Sequence, residues 1–304
     1  MIATRESYGK ALAELGEKYK DVVVLDADLA TATKTIEFKK KFPERFFDVG
    51  IAEQDLMGTA AGLAIGGKIP FASTFAIFAS GRAYDQVRNT IAYSKLNVKI
   101  AATHAGITVG EDGASHQSLE DISLMRSVPN MIVVSPADDK TTKWIVEEAI
   151  KYNGPMYIRL ARPATAEIYD ENTKFELGKG IQHGDGEDAT VIATGVTVAE
   201  ALKAKVELEK EGINIRVVDI HTIKPIDKEL IIKCAKETKK IITVEDHSII
   251  GGLGTAVCEV LSEEYPAKVI RIGIKDEFGQ SGKWDELMEY YEITSKNIQE
   301  IVRN

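Results

Sequence analysis

The sequence predicts an α/β protein of two domains, each a mainly parallel sheet flanked by helices. Three observations carry that prediction. Short apolar runs of strand length recur between segments of helical spacing, and they lack a polar face, as strands buried on both sides do. The alternation stops once, in a polar, glycine-containing tract, and then restarts. The length of 304 residues is more than one core usually organises.

Arg5 to Tyr19 places Tyr8, Leu12 and Leu15 at helical spacing, and Val22-Val23-Val24-Leu25 is an apolar run ending in Asp26-Ala27-Asp28. Further strands are predicted at Phe46 to Val49, Ile69 to Phe71, Val98 to Thr103, Met131 to Ser135 and Met156 to Leu160, with helical segments between most of them. Gly50 breaks the run that ends at Val49, and a helix rich in Ala and Gly begins close to Glu53. From Pro163 to Asp188 no period is sustained, so residues 1–163 read as one domain, 164–188 as a linker and 189–304 as a second domain. There the alternation restarts with strands at Thr190 to Ala193, Ile215 to Val218, Ile241 to Glu245 and Val269 to Ile272. Helices are predicted at Val198 to Lys210, Lys228 to Lys236, near Gly254 to Ser262, and from Ser295 to the end.

Composition excludes several function classes. A net charge of −9 argues against non-specific nucleic-acid binding, which needs surplus Lys and Arg, although a local basic pocket for a small phosphate is compatible with it. No apolar run approaches membrane-spanning length, and the first residues lack a basic stretch followed by an apolar core. Cys234 and Cys258 lie far from any Cys/His cluster, which points to free thiols in a reducing, cytoplasmic setting rather than a zinc site or disulfide framework.

In open α/β sheets ligands bind outside the carboxyl ends of the strands. The residues just after the predicted strands of the first domain are Asp26-Ala-Asp28-Leu29, Gly50-Ile51-Ala52-Glu53, Ser73-Thr74-Phe75, His104-Ala-Gly106 and Arg162. Two acids, a histidine and an arginine would thus converge on one rim. Taken singly, Glu53 is a first-turn carboxylate facing a helix dipole. The Phe75 and Phe78 pair, at i and i+3 of a predicted helix, is core packing. The loop from His104 to Gln117 is different: two histidines, the adjacent acids Glu111 and Asp112, and three glycines are not explained by a core. Its spacing matches no compact metal motif, which ranks substrate contact above metal binding. His221 and His247 read as structural, and Gly251-Gly252-Leu-Gly254 is a weak anion-binding signal.

Together, Asp28-Leu29, Gly50-Ile-Ala-Glu53-Gln, Ser73-Thr-Phe75-Ala-Ile-Phe78, Thr103-His104, Gly110-Glu-Asp112-Gly-x-x-His116-Gln and Ala161-Arg162 resemble the transketolase family in order and approximate spacing. The resemblance runs from about Arg5 to Arg162 and continues in that family's C-terminal domain. It implies a chain carrying the pyrimidine-binding and C-terminal domains, as the C-terminal subunit of a split enzyme. The implied reaction moves a two-carbon ketol unit from a ketose phosphate to an aldose phosphate. The implied cofactor is thiamine diphosphate.

By that resemblance Glu53 is the carboxylate that hydrogen-bonds N1' of the aminopyrimidine. Such a bond favours the imino tautomer, whose exocyclic nitrogen can take the proton from thiazolium C2, and a desolvated acid suits the task. Phe78 stacks on the pyrimidine, Phe75 lines its pocket, Leu29 wedges the cofactor into a bent shape, and Ile51 and Asp28 support it. His104 and Arg162 meet the sugar phosphate, Asp112 a sugar hydroxyl, and His116 hydroxyls near the reacting carbonyl. Arg5 is a further phosphate-binding arginine. Guanidinium and imidazole suit this role because they donate directed, charge-assisted hydrogen bonds.

Two positions depart from the family pattern. Ala32 stands where a phosphate-contacting serine is usual, leaving Thr31 or Thr33 as substitutes, and Gly81 replaces an aromatic residue of the pyrimidine pocket. The family's Gly-Asp-Gly diphosphate and metal motif belongs to a separate domain, and Gly184-Asp185-Gly186, in the linker with no predicted strand before it, reads as coincidence. The resemblance therefore implies that this chain itself holds no metal and that an N-terminal partner subunit brings the diphosphate site and a magnesium or calcium ion, in an α2β2 assembly built on a homodimer of this chain's C-terminal domains. Deoxyxylulose-phosphate synthases and 2-oxo acid dehydrogenase components share the Ile-Ala-Glu core, and Arg82-Ala-Tyr-Asp-Gln86 resembles them, but Thr103-His104-Ala-Gly106 and the Gly-Glu-Asp-Gly-x-x-His loop favour transketolase. A non-catalytic regulatory subunit would have no need of Glu53, His104, Asp112 and His116 together.

Overall fold

A computed structural model describes residues 1–304. The first part of the chain runs β1 (Ile2–Ala3), α1 (Thr4–Lys18), β2 (Val22–Asp26), α2 (Ala30–Thr33), α3 (Ile36–Lys41), β3 (Phe46–Asp48), α4 (Glu53–Ile65), β4 (Ile69–Phe75), β5 (Lys99–Thr103), α5 (Asp121–Ser127), β6 (Ile132–Val134), α6 (Asp139–Lys151), β7 (Met156–Arg159) and β8 (Ala164–Thr165). The rest runs β9 (Ile181–His183), β10 (Ala189–Ala193), α7 (Thr197–Lys210), β11 (Ile215–Asp219), β12 (Thr222–Lys224), α8 (Lys228–Glu237), β13 (Ile241–Ser248), α9 (Leu253–Glu264), β14 (Val269–Ile274), α10 (Trp284–Tyr290) and α11 (Ser295–Arg303).

Two large sheets result, ordered β12-β6-β7-β5-β4-β2-β3 and β14-β13-β10-β11-β9, beside a two-stranded sheet of β1 and β8. Their strands pair in parallel except at one edge of each, where β12 and β9 run antiparallel to their neighbours. The central strands β2, β5, β7, β10 and β11 are buried along their whole length, because helices cover both faces. Polar caps fix where two of those helices start: the Asp138 carboxylate accepts the Thr141 N–H at 2.9 Å ahead of α6, and Asp227 accepts the Leu230 N–H at 3.1 Å ahead of α8. No helix is long and apolar enough to cross a membrane.

The two halves interlock more than their sequence suggests. β12 leaves the second half and pairs with β6 of the first sheet, and the Ser135 N–H donates to the His221 carbonyl at 2.9 Å beside it. One apolar cluster runs without a break from Leu56 and Met57 through Ile122 and Val133 to Ile192, Val218 and Leu253. The tract expected to be a linker is ordered at both ends, since β8 pairs with β1 and β9 joins the edge of the second sheet. That second pairing corrects one expectation: Gly184-Asp185-Gly186 does follow a strand. It forms the turn from β9 toward β10, and just beyond it the Asp188 N–H donates to the Asn214 carbonyl at 3.1 Å while the Asp188 carboxylate accepts the Asn214 N–H at 2.8 Å. Cys234 is buried and Cys258 half-buried, both as free thiols.

A second correction concerns Phe75. It ends β4 rather than opening a helix, so Ser73 and Thr74 lie inside the strand. The helical turn after it widens to an i to i+5 pattern from Phe78, whose carbonyl accepts the Ala83 N–H at 3.2 Å.

Candidate active site

At the end of β2, the fully buried Asp26 organises the turn that follows. Its carboxylate accepts the Leu29 N–H at 2.6 Å and the hydroxyls of Thr33 and Thr35 at 2.6 and 2.8 Å. Burial pushes its pKa up to about 6. Asp28 takes a left-handed backbone, φ +61°, and its N–H reaches the Asp48 carboxylate at 3.0 Å, which also accepts the Gly50 N–H at 3.0 Å. The loops after β2 and β3 are thereby tied together. Leu29 is left half-buried on one loop, while Ile51 on the other is 77% exposed.

Glu53 is the first residue of α4 and only 2% exposed. The cation beside it is Arg82, whose Nη1 lies 3.4 Å from Oε2 and whose side chain is 55% exposed. The same guanidinium sits 5.0 Å from the centre of the Phe78 ring. Phe78 stacks against Phe75 at 5.9 Å with an interplanar angle of 11°, and His116 approaches both rings edge-on, at 5.6 and 6.3 Å. Phe75 in turn stacks on His104 at 3.9 Å.

His104 is buried, also with a left-handed backbone, φ +57°. Arg5 Nη1 lies 3.3 Å from its Nε2, and Thr103 Oγ1 lies 2.9 Å from Nδ1. A guanidinium nitrogen can only donate, so Nε2 accepts and the proton sits on Nδ1, facing the threonine. Burial first, then repulsion from Arg5, Arg162, His116 and Lys34, holds the His104 pKa down to about 3, so the ring is neutral at any working pH. Those four repelling groups also define a basic rim on an acidic protein. Arg5 Nη1 donates to the Ala32 carbonyl at 2.8 Å, while its Nε is buried without a partner.

Arg162 is engaged by its own neighbours. It donates to the Val109 carbonyl and to Glu111 Oε2 at 3.1 Å, with Asp112 Oδ2 at 4.0 Å. Asp112 lies on the exposed side of the loop, and the half-buried His116 bonds Ser115 Oγ through Nδ1 at 3.0 Å. The structure thus gathers Glu53, Phe75, Phe78, His104, His116 and Arg5 in one line of contacts, with Arg162 and Asp112 at its edge. Leu29, Asp28 and Ile51 come from the two adjoining loops. Thr33 does not substitute for the serine absent at Ala32, because its hydroxyl is buried on Asp26, and Thr31 is left as the exposed hydroxyl. No group of three His, Cys, Asp or Glu side chains converges to hold a metal.

The organising role of Asp26 is not evident from its position in the sequence alone; its signal is two threonines seven and nine residues after it, within reach of a buried strand-end carboxylate. His221 and His247 are buried within the protein and held near pKa 4 by burial. His247 caps the Ser123 N–H at 3.4 Å, and His221 lies edge-on to Trp144 at 5.0 Å.

Residues 1–167 match the transketolase pyrimidine-binding domain and residues 178–298 the transketolase C-terminal domain. The chain is 56% identical over 297 residues to a putative transketolase C-terminal section of Methanocaldococcus jannaschii, covering 97% of this chain and 93% of that one. It is 42% identical over 294 residues to a 6-deoxy-6-sulfo-D-fructose transketolase subunit of Clostridium sp. (strain MSTE9), covering 97% and 91%. A solved split-gene transketolase, described as an inactive beta4 tetramer, superposes with a TM-score of 0.93 at 54% identity, covering 100% of this chain and 98% of that one.

Proposed function

The chain belongs to the transketolase family, and from that premise we propose that it is the C-terminal subunit of a two-subunit transketolase, moving a two-carbon ketol unit between sugar phosphates. The observation that carries this reading is the continuous line of contacts from the buried Glu53, through Arg82, Phe78, His116, Phe75 and His104, to the unpartnered nitrogen of Arg5. A buried acid stands at one end and an anion-seeking cation at the other, with aromatic faces between.

The family depends on thiamine diphosphate, and the residues present fit its aminopyrimidine end. Phe78 offers a half-exposed ring, a side chain at the position of Gly81 would meet nothing within 4 Å, and Glu53 is a buried carboxylate at a helix start. When bound, the cofactor would supply a nucleophilic thiazolium carbon for the donor's carbonyl. This chain's part is to hold a proton at N1' on the Glu53 carboxylate, to stack Phe78 on the ring with Phe75 behind it, and to shape the approach with Leu29, Ile51 and Asp28. On the substrate side His104 offers a neutral ring and Arg5 a half-buried guanidinium. Arg162 would exchange Glu111 and Asp112 for the sugar's anionic group, freeing Asp112 for a hydroxyl, and His116 faces hydroxyls beside the reacting carbonyl. The diphosphate and a magnesium or calcium ion fall to an N-terminal partner in an α2β2 assembly joined through this chain's C-terminal domains. A cytoplasmic location belongs to the same reading and is supported by the two free thiols.

A second substrate reading, a sulfonated ketose, is favoured by the absent hydroxyl at Ala32 and the commitment of Thr33 to Asp26. The test assembles this chain with its N-terminal partner, thiamine diphosphate and magnesium, and compares phosphorylated with sulfonated ketose donors. Ketol transfer should fall about 100- to 10,000-fold in Glu53→Gln. Near-normal turnover by that variant would remove Glu53 from its role.

A further inference from the structure

The second domain carries no side chain of the site just described, yet its sheet has the feature that marks a binding crevice. Strand order reverses at β10, with β11 on one side and β13 on the other. Outside the carboxyl ends of parallel strands, such a reversal is where a ligand usually lies. Here the first domain's loop from His104 to Gln117 packs against β13 beside that reversal.

Asp246, in β13, is the contact. Its Oδ1 accepts the Ile107 N–H at 2.8 Å and its Oδ2 accepts the Thr108 hydroxyl at 2.7 Å, three and four residues beyond His104. The carboxylate is buried, and a Cβ added to Gly106 would stand only 2.1 Å from Oδ2, so the backbone passes directly against it. From beneath, Arg159 Nη2 donates to the Asp246 carbonyl at 2.7 Å, and Arg159 is itself paired with the buried Asp121 at 2.9 Å. The far end of the loop is fastened too. The Ser248 N–H donates to the Leu119 carbonyl at 2.8 Å, and Gln117 Nε2 bridges the Ile107 and Gly110 carbonyls to the Gln280 carbonyl of the second domain at 2.9 Å. The exposed stretch of the loop, residues 111, 112, 114 and 115, is the apex that carries Asp112 and adjoins His116.

We propose that Asp246 is a positioning residue: the second domain uses its crevice to clasp the substrate-facing loop, so that sugar binding depends on a carboxylate that touches neither sugar nor cofactor. This rests on the function proposed above only for its kinetic consequence; the clasp itself is measurable without turnover.

Asp246→Asn keeps the shape but turns one of the two acceptors into a donor, and Thr108→Val removes one bond from the loop side. In the chain alone, amide exchange at residues 107–113 should be at least tenfold faster in Asp246→Asn, with β10 and β11 unchanged. In the assembled enzyme KM for the sugar donor should rise about tenfold, while kcat and the affinity for thiamine diphosphate change less than threefold. Thr108→Val should move exchange and KM in the same direction by a smaller factor, and it decides the matter if Asp246→Asn does not fold. Wild-type loop exchange and KM in a variant that merely melts earlier would overturn the proposal. Should the wild-type assembly show no ketol transfer, the function reading fails while the exchange measurement still judges the clasp.

Discussion

Replacing Gly106 with alanine tests the packing of the site loop against the second domain through a comparison the structure provides. Gly106 has φ +77° with ψ −174°, a region open almost only to glycine, and Gly67 has φ +84°, so alanine is strained at both positions, by about 1–3 kcal/mol at Gly106. Beyond that the two differ. A Cβ at Gly67 meets nothing within 4 Å, whereas one at Gly106 lies 2.1, 2.3 and 2.4 Å from Oδ2, Cγ and Oδ1 of Asp246. Those distances cannot persist, and moving the carboxylate away costs its bonds to Ile107 and Thr108. Hydrogen bonds to a charged acceptor contribute about 1.5–3 kcal/mol each, so Gly106→Ala should cost about 3 kcal/mol or more beyond Gly67→Ala. Urea unfolding of both variants, followed by circular dichroism at one protein concentration, gives the difference directly. Equal stabilities within about 0.5 kcal/mol would refute the claim that this loop is pressed against Asp246.

Three further outcomes are expected. Arg5→Met should raise KM for an anionic sugar about 10- to 100-fold, the equivalent of one charge-assisted hydrogen bond, and leave an uncharged ketose nearly unaffected in a steady-state assay; equal effects on both would deny Arg5 its anion-binding role. Asp121→Asn strands the buried Arg159 and weakens the bond from Tyr157 at 2.9 Å, so denaturation should register a loss of about 3–5 kcal/mol, and a loss below about 1 kcal/mol would contradict the buried pairing. His221, whose pKa burial lowers from about 6.5 to about 4, stabilises the fold above pH 6.5 and loses that contribution as the pH falls toward 4; the displacement corresponds to about 3 kcal/mol. His221→Gln should therefore lose less stability than the wild type between pH 6.5 and 4 in parallel melting curves, and identical pH slopes would show that this histidine does not titrate as described.

Much of the fold was legible because its central strands are built on short, mainly apolar runs separated by helical periods: β2, β5, β10, β11 and β13 lie within a few residues of the runs that predicted them. What escaped has physical causes. β12 and β9 are three-residue edge strands, held by pairing with distant neighbours rather than by any local pattern. Phe75 and Phe78 have helical spacing, yet the rings stack across a junction where a strand runs straight into a widened helical turn. At the candidate site, the gathering of Glu53, His104 and His116 was readable from residue type in the segments that follow the strands. The partners that set their states were not, since Arg5 reaches His104 across 99 positions and Asp246 reaches Ile107 across 139. Thr33, open to a phosphate role in the sequence, is taken by Asp26 in the structure.

The central claim, that this chain holds one end of a cofactor and cannot turn over alone, is tested by a single assay. The chain, its N-terminal partner and a stoichiometric mixture of the two are each supplied with thiamine diphosphate, magnesium and a ketose phosphate with an aldose acceptor. The account predicts ketol transfer in the mixture and none above background from either chain. Turnover by this chain alone, at the rate of the mixture, would contradict it.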